Sequence, residues 1–527
     1  MKNPLDKRLL LLNSTSSLIE RFITLFIQLW LYQYLIKRIT PEEYSLYPVI
    51  MALVVFVQPL TSLLTAGISR FTIDADARGD AHRVTEITST IFPVLVGSAV
   101  MLALFGALMS GFLGSIVNVA PGRLPEARVM LLLLFASVSL RLVLAPFSVG
   151  LYVRQKFVLA NTLALCQAIV RLMLLFALLL GAGPRVLWVV VATVVADVSI
   201  LLATTGLSVR AVPALRFNVH RIRWGLLKPL TSFGAWNVIG WLSHVIRTSA
   251  DLLILNRLGT PLNVASFHLA SLPDNQIGDT VQRAMSPLQP PMVALHARGD
   301  HHRLRRLHIR VGRYSLWATF LVVTPLVVFR NEFWMIYLGS AFEIYGDVPL
   351  VMTLVLLRYL VECPSHPTGM LGYAVNRMRA ISCLSLLLSL TNVGITLYLV
   401  GPLEMGAVGS ALGTLLATVL WHPLVMWRLG INLVGLSYWP WFKAVIGRGA
   451  LPAVAAGMFG LALRQWVQPQ TLPELLGVTA AIWLVYVHAI LLFCLDDDER
   501  GAASRLVARG FKAVPWRGRV APDVCHK

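Results

Sequence analysis

The stretch ARGDAHR, Ala77 to Arg83, returns almost letter for letter as ARGDHHR, Ala297 to Arg303. Six of the seven residues match, and the two copies lie 220 residues apart. A short charged motif that recurs in register with other matches indicates that a larger unit has been duplicated. The number of structural elements between the two copies should therefore give the size of the duplicated unit.

The composition places the chain in a membrane. Hydrophobic residues make up 57% of its 527 residues, and charged residues only 13%. A soluble protein of this composition would expose large apolar patches, so we expect an integral membrane protein. The five cysteines form no CxxC pair, which argues against a zinc site or a disulfide framework. We expect no cleavable signal peptide, because the short basic stretch Met1–Arg8 leads into a segment long enough to span.

Apolar stretches long enough to cross about 30 Å of hydrocarbon as helices can be followed along the whole chain. They are predicted at 9–36, 46–69, 88–112, 129–151, 157–182, 186–207, 230–256, 262–290, 312–330, 348–373, 380–400, 405–427, 447–466 and 475–495. The sequence therefore predicts an all-α polytopic membrane protein with about fourteen transmembrane helices.

The distribution of Lys and Arg predicts the orientation. If the N-terminus is cytoplasmic, about 31 of the 45 basic residues fall in cytoplasmic segments and about eight in the opposite loops. This bias predicts that both termini are cytoplasmic. The net charge of +20 is then explained by topology and by attraction to anionic lipid, and we expect no nucleic-acid partner.

The 220-residue offset equals six predicted spans. The two charged motifs follow spans 2 and 8, the same offset relates Pro41 to Pro261, and RLVLAP (141–146) loosely resembles RYLVECP (358–364). Because six is even, the halves share one orientation, and we expect two six-helix lobes around a central cavity. The predicted units are an N-terminal lobe at 1–207, a cytoplasmic linker at 208–229, a C-terminal lobe at 230–427, a helix pair at 447–495 and a cytoplasmic tail at 496–527.

Polar residues recur at helical spacing in spans 1, 2, 7 and 8. Such residues are costly in a bilayer unless they face protein or water, so their phase predicts a shared cavity. The predicted lining residues are Glu20, Thr24, Gln28, Asn237, His244, Asp251, Asn275, Asp279 and Gln282. Pro273 either breaks span 8, with Asp274 or Asn275 capping the lower half, or only kinks it.

Three arginines within the spans lie on or beside the polar stripes: Arg21, Arg247 and Arg283. A guanidinium in a low-dielectric cleft can hold a phosphate or pyrophosphate group through two hydrogen bonds. The alternative is a structural ion pair with an acid one turn away on the same helix. The possible pairs are Arg247–Asp251, Arg283–Asp279 and Arg358–Glu362.

Energy coupling has one candidate among the stripes. His244 either titrates during transport or is a hydrogen-bonded core histidine. Neither a P-loop nor a nucleophile-and-base motif occurs, so we expect a transporter with no enzymatic activity and no cofactor, coupled to a proton or sodium gradient. We expect three further motifs to have structural roles. They are HHRLRRLH (His301–His308) as a solvated face, DDDE (Asp496–Glu499) as the end of the last span, and Gly406, Gly409 and Gly413 as helix-packing positions.

Longer segments resemble the polysaccharide flippases of the multidrug/oligosaccharidyl-lipid/polysaccharide exporter superfamily. They are PEEYSLYPVI (Pro41–Ile50), GISRFTIDADARGD (Gly67–Asp80), MSPLQPPMVALHARGD (Met285–Asp300) and GAVGSALGT (Gly406–Thr414). The resemblance implies a cavity lined by spans 1, 2, 7 and 8 and transport of an undecaprenyl-pyrophosphate-linked glycan by alternating access. It also implies that Arg21, Arg247 and Arg283 bind the pyrophosphate, and that spans 13 and 14 border a groove for the lipid tail.

The predicted function is thus a bacterial inner-membrane flippase for O-antigen or exopolysaccharide units. Its expected partners are the lipid-linked glycan, membrane lipids and the polysaccharide polymerase machinery. One alternative is a multidrug cation antiporter of the same fold, which would favour an acidic and aromatic cavity. Another is a membrane-embedded glycosyltransferase or polymerase, which is disfavoured because the outer loops near Gly111–Arg128 and Arg330–Asp347 are short.

Overall fold

The structure is a computed structural model that describes residues 24, 26–120, 122–154, 156–228, 235–375 and 378–501. These residues form long helices joined by short turns, and we number the helices by predicted span. They are α1 (26–36), α2 (Pro41–Ala77), α3 (Ala81–Gly111), α4 (Leu124–Val153), α5 (Phe157–Gly181), α6 (Val186–Ala211), α7 (Ala235–Leu258), α8 (Pro261–Met285), α9 (His301–Val328), α10 (Val348–Gly372), α11 (Arg379–Val400), α12 (Gly406–Val434), α13 (Tyr438–Trp466) and α14 (Leu472–Cys494).

Twelve of the described helices, α2–α7 and α9–α14, are long and apolar enough to cross a membrane. Helix α8 has the length of a span, at 25 residues, but carries a polar run from Asp274 to Arg283. Most of predicted span 1 lies outside the described residues. The all-α polytopic fold is confirmed, whereas the count of fourteen spans stays a prediction.

The repeated ARGD motif forms the same turn in both halves. Gly79 and Gly299 have φ values of +73° and +67°, a left-handed conformation that glycine adopts without steric penalty at a helix end. Asp80 and Asp300 then cap the next helix, each accepting a hydrogen bond from the backbone N–H three residues later, at 2.8 and 3.1 Å. The motif is a helix stop followed directly by a helix start.

The turns one helix earlier also match. Thr40 caps α2 and Thr260 caps α8, each accepting from the backbone N–H three residues later, at 3.4 and 3.2 Å. Pro41 and Pro261 follow at the first helical position, where the missing N–H removes no intrahelical bond. The offset of 220 residues therefore relates the start of the second helix of each half and the turn that precedes the third, although in the second half a short helix at Gln289–Ala297 lies between α8 and that turn.

Helices α2–α6 pack with one another as an N-terminal lobe, and α7–α12 pack as a C-terminal lobe. Helix α13 packs on α9 and on α14, so the last pair is attached to the C-terminal lobe. The segment after α6 lies along α3, where Thr85 donates to the Ala214 carbonyl at 2.9 Å. The backbone N–H of Asn218 donates to Ser89 at 2.9 Å. This connection therefore belongs structurally to the N-terminal lobe.

The two lobes meet through α2, which packs on α7 and α8. At the end of the bundle that holds the α7–α8 turn, two asparagines pair across the lobes. The backbone N–H of Asn118 donates to Oδ1 of Asn256 at 2.9 Å, and Nδ2 of Asn256 donates to the Asn118 carbonyl at 3.0 Å. Nearby, the Tyr44 hydroxyl lies 2.9 Å from Nδ1 of His268. Hydrogen bonds thus join the lobes at this end, and one of them is donated by the Arg257 guanidinium to Oδ1 of Asn118 at 3.1 Å.

Candidate functional site

A cavity of about 650 Å³ opens within the C-terminal lobe. Its wall is formed by α7, α8, α10, α11 and α12. Six of the residues predicted from the sequence line it: His244, Arg247, Asp251, Asn275, Asp279 and Gln282. The polar faces of α7 and α8 therefore border one space, with α10 to α12 as a further wall that the polar stripes did not indicate.

The remaining predicted residues lie elsewhere. Arg283 is exposed near the end of α8, outside the cavity lining. Gln28 of α1 accepts a hydrogen bond from Nε2 of Gln276 on α8, so it contacts the other lobe. Thr24 is half-buried. Glu20, Arg21 and the side chain of Asn237 lie outside what the structure describes.

Helix α8 runs without a break from Pro261 to Met285, with Pro273 inside it. The broken-helix alternative is therefore wrong, and so is the capping role considered for Asp274 or Asn275. The Asp274 carboxylate accepts hydrogen bonds from an arginine of α10 instead of from a free helix end. The Asp274 side chain, a predicted cap of its own helix, thus links α8 to α10 instead.

That arginine, Arg358, is the centre of an ionic network in the cavity wall. Its Nη2 donates to both oxygens of Asp274, at 2.7 and 2.9 Å, and its Nη1 pairs with Glu362 one turn later. Its guanidinium also lies 4.5 Å from the centre of the Tyr359 ring. Only 10% of its side chain is exposed, and a charge so buried needs close compensation. The predicted pair of Arg358 with Glu362 is confirmed, but it belongs to a larger network.

Arg247 of α7 shares Glu362 with Arg358. Its Nη1 donates to Oε1 of Glu362 at 2.7 Å, and 32% of its side chain is exposed. The predicted pairing of Arg247 with Asp251 is wrong, because α10 brings a carboxylate closer than the neighbouring turn of α7 does. Among the described residues Arg247 has one carboxylate partner and Arg358 has two. Arg247 is therefore the cavity arginine with donors to offer a ligand.

Asp251 forms a second polar centre, deeper in the wall and 1% exposed. The hydroxyls of Thr396 on α11 and Thr414 on α12 both donate to it at 3.1 Å. A Cβ on Gly413 would lie 2.7 Å from Oγ1 of Thr396, so only glycine lets α11 and α12 approach this closely. The predicted helix packing is confirmed at this position. In the described part of the chain no Lys or Arg forms an ion pair with Asp251, and a buried carboxylate of this kind favours a bound cation or a proton.

The acidic motif Asp496–Glu499 binds helix α9 away from the cavity. Arg313 of α9 is fully buried and donates to Asp496 at 2.9 Å and to Glu499 at 2.6 and 2.7 Å. Burial alone would raise the pKa of Asp496, but the bond from Arg313 and nearby arginine charges hold that pKa below its ordinary value. His308 is 1% exposed, so the interpretation of His301–His308 as a solvated face is wrong at its C-terminal end. The acidic motif follows the last span and also fastens it to α9.

The helix order and the packing of the two lobes define a fold that solved membrane transporters share. The structure matches that of the lipid II flippase MurJ in an inward closed conformation with a TM-score of 0.66, at 11% identity over 90% of this chain and 98% of that chain. It matches a multidrug resistance MATE family transporter in an inward-facing conformation with a TM-score of 0.64, at 14% identity over 81% of this chain and 98% of that one. The fold is that of the multidrug/oligosaccharidyl-lipid/polysaccharide exporter superfamily.

Sequence comparison narrows this class to a family. Residues 35–345 match the family described as polysaccharide biosynthesis protein, and because this is more than half of the chain, the chain belongs to that family. It is also 20% identical over 499 residues to the uncharacterized membrane protein EpsK of Bacillus subtilis (strain 168), covering 93% of this chain and 96% of that protein. The resemblance predicted from the sequence is confirmed, and the protein is a multi-pass membrane protein.

Proposed function

We propose that this protein is a flippase that moves an undecaprenyl-pyrophosphate-linked oligosaccharide across the bacterial inner membrane, with both termini cytoplasmic. The product would be a unit of a surface polysaccharide, either O-antigen or an exopolysaccharide, passed on to polymerase machinery. The observation that carries the proposal is the partly exposed Arg247 in the cavity of a chain from a polysaccharide biosynthesis family. A guanidinium facing a cavity suits a diphosphate, which it can bind through two parallel hydrogen bonds.

In the proposed cycle the head group enters the cavity while the lobes are joined at the opposite, periplasmic end. Among the bonds that join them there, Asn118 bonds to Asn256 and Arg257, and Tyr44 bonds to His268. Each such bond contributes about 1 kcal/mol, so breaking a few of them is within reach of ligand binding. The ionic network lies within one lobe, and it would move as a unit when the lobes separate.

We further propose that Asp251 holds the coupling cation. Its carboxylate and the two threonine hydroxyls supply the oxygen donors that a hard cation such as sodium prefers, and protonation would neutralise the same buried charge. His244, which also lines the cavity, is the alternative group for proton coupling. Transport measured in proteoliposomes with an imposed sodium or proton gradient separates the two ions, and Asp251→Asn should remove the dependence on whichever gradient drives it.

A second candidate function is export of organic cations. The observation that favours it is the acidic excess of the described cavity wall. Its charged residues are the acids Asp251, Asp274, Asp279 and Glu362 and the bases Arg247 and Arg358. An antiporter for lipophilic cations would use an acidic excess of this kind in its cavity wall.

The test is mass spectrometry of membrane lipids from cells depleted of the protein. We expect an undecaprenyl-pyrophosphate glycan to accumulate and a surface polysaccharide to be lost. Wild-type protein should reverse both effects, and Arg247→Ala at equal membrane levels should not. An unchanged lipid pool together with new sensitivity to cationic dyes would instead assign the protein to cation export.

A further inference from the structure

We propose that Glu362 is a built-in competitor for the anionic head group. When no anion is bound, Glu362 pairs with Arg247. A diphosphate displaces Glu362 from Arg247, and the ion pair between Glu362 and Arg358 remains. This inference rests on the proposed function, because it identifies the residue that sets the charge requirement of the same binding site. It explains how a cavity surrounded by phospholipids could bind a diphosphate lipid selectively.

The first step of the argument is that Glu362 uses its two oxygens for two different arginines. Oε1 accepts from Arg247 at 2.7 Å, and Oε2 accepts from Arg358. Arg247 comes from α7, whereas Arg358 is on the same helix as Glu362. Loss of the contact with Arg247 therefore leaves one ion pair to Glu362, so displacement does not strand a buried charge.

The second step is that the two arginines differ in what else holds them. The side chain of Arg358 is 10% exposed, and it donates hydrogen bonds to both oxygens of Asp274 as well as to Glu362. Arg247 is 32% exposed, and Glu362 is its one carboxylate partner among the described residues. An anion that enters the cavity can reach Arg247 without disturbing the pair of Arg358 and Asp274. The exchange is therefore confined to one bond.

The third step is that the backbone around Glu362 is irregular. The regular part of α10 ends at Leu357, a single turn covers Tyr359–Glu362, and a 3₁₀ turn follows at Cys363–Ser365. Pro364, in that turn, lacks the N–H that would continue the helical hydrogen bonds. Irregular turns within helices often mark places that move in function. Glu362 lies where a small shift of its side chain needs little rearrangement of the helix.

The consequence is that an anion must carry more negative charge than a carboxylate to displace Glu362 from Arg247. A diphosphate carries more negative charge than a carboxylate and offers several oxygens to the guanidinium fork, so it displaces Glu362 from Arg247. The phosphodiester of a bulk phospholipid carries a single charge, as the carboxylate does, and gains little by replacing a partner that is already in place. Glu362 thus excludes the most abundant phosphate groups of the membrane.

The test compares two variants that remove the same charge from the cavity. Binding of inorganic pyrophosphate and of inorganic phosphate to the detergent-solubilised full-length protein is measured by calorimetry. Glu362→Gln should bind pyrophosphate about tenfold more tightly than wild type and should also bind phosphate measurably. Asp274→Asn, which leaves Arg247 on Glu362, should change pyrophosphate affinity less than about twofold. Adding Arg247→Ala to Glu362→Gln should abolish the gain.

Equal tightening in Glu362→Gln and Asp274→Asn would overturn the proposal, because charge alone would then explain the effect. Failure of correctly folded Glu362→Gln to gain affinity would overturn it as well. If Glu362→Gln does not give a monodisperse protein, Glu362→Asp takes its place, because its shorter side chain cannot reach both arginines and should show a smaller gain. A failure of the proposed function is separate: it appears as an unchanged lipid pool in depleted cells, whatever the variants bind.

Discussion

The two lobes share their turns and their helix order, but they differ in what lines them. Subtracting the 220-residue offset from three polar residues of the C-terminal lobe gives three apolar ones in the N-terminal lobe. Arg247, Asp251 and Asp274 correspond to Ile27, Leu31 and Val54. These counterparts are 2%, 0% and 7% exposed, in the hydrophobic core. Duplication supplied the scaffold twice, and at these three positions the polar side chains belong to one copy.

The fourth helices of the lobes show the same contrast. Arg141, at the position of Arg358 in the looser repeat, pairs with Asp197 at 3.0 Å, but 59% of its side chain is exposed. The place of Glu362 is taken by Ala145. At these matched positions one lobe holds a buried arginine between two carboxylates, and the other holds an exposed arginine paired with one carboxylate. The proposed function accordingly assigns binding and coupling to the C-terminal lobe, against which the N-terminal lobe would move.

The largest difference in stability is expected between variants that lack Arg358 and variants that lack its counterpart Arg141. Arg358→Ala leaves the buried carboxylate of Asp274 uncompensated and leaves Glu362 with Arg247 alone, which should destabilise the protein by about 3–5 kcal/mol. Arg141→Ala breaks an exposed pair worth about 0–1 kcal/mol. Thermal unfolding of the two variants in detergent measures the difference. Equal losses of stability would mean that the two lobes are not distinguished by their ionic networks.

Close helix packing in the C-terminal lobe gives the next effect. Gly413→Ala places a Cβ 2.7 Å from Thr396 and should cost about 1–3 kcal/mol by overpacking. Gly97→Ala on α3 meets nothing within 4 Å and should be neutral or stabilising by up to about 1 kcal/mol. The measurement is again thermal unfolding, with gradient-driven transport as a second readout. A harmless Gly413→Ala would show that the approach of α11 to α12 is not needed to position Thr396.

A smaller change is expected at the proposed coupling site. Asp251→Asn keeps the shape of the side chain and its threonine neighbours but removes the charge, so gradient-driven transport should fall about tenfold. Substituting its N-terminal counterpart by a residue of similar size, Leu31→Met, should leave the gradient dependence unchanged, because Leu31 lies in the hydrophobic core. Transport is followed in proteoliposomes with and without an imposed gradient. Undiminished coupling in Asp251→Asn would remove Asp251 from the proposed mechanism.

The smallest effect is expected where the lobes meet. Asn118→Ala removes its side-chain hydrogen bonds to the end of α7, and we expect a net loss of about 1 kcal/mol because water replaces the lost partners. The population with the lobes separated at this end should therefore rise about fivefold. Spin-label distances across the Asn118–Asn256 contact report the two populations, and Asn256→Ala should give the same shift. No shift in either variant would show that other contacts hold this end together.

The sequence could predict the features that depend on residues close together in the chain, and it could not predict those that depend on distant residues. The repeated motifs with Gly79 and Gly299 could be placed after spans 2 and 8 from the sequence, and the turn that each forms depends on a glycine and a capping aspartate within a few residues. The pair of Arg358 and Glu362 was visible for the same reason, since it lies within one turn. The contact of Arg247 with Glu362 was not, because it joins residues 115 positions apart on helices whose packing the sequence does not reveal.

The most direct test of the central claim compares two arginines, one from each lobe, by native mass spectrometry of the purified protein. The account predicts that wild type and Arg141→Ala retain a bound undecaprenyl-pyrophosphate glycan, and that Arg247→Ala loses it although its fold is intact. Retention by Arg247→Ala together with loss by Arg141→Ala would contradict the assignment of head-group binding to the C-terminal lobe.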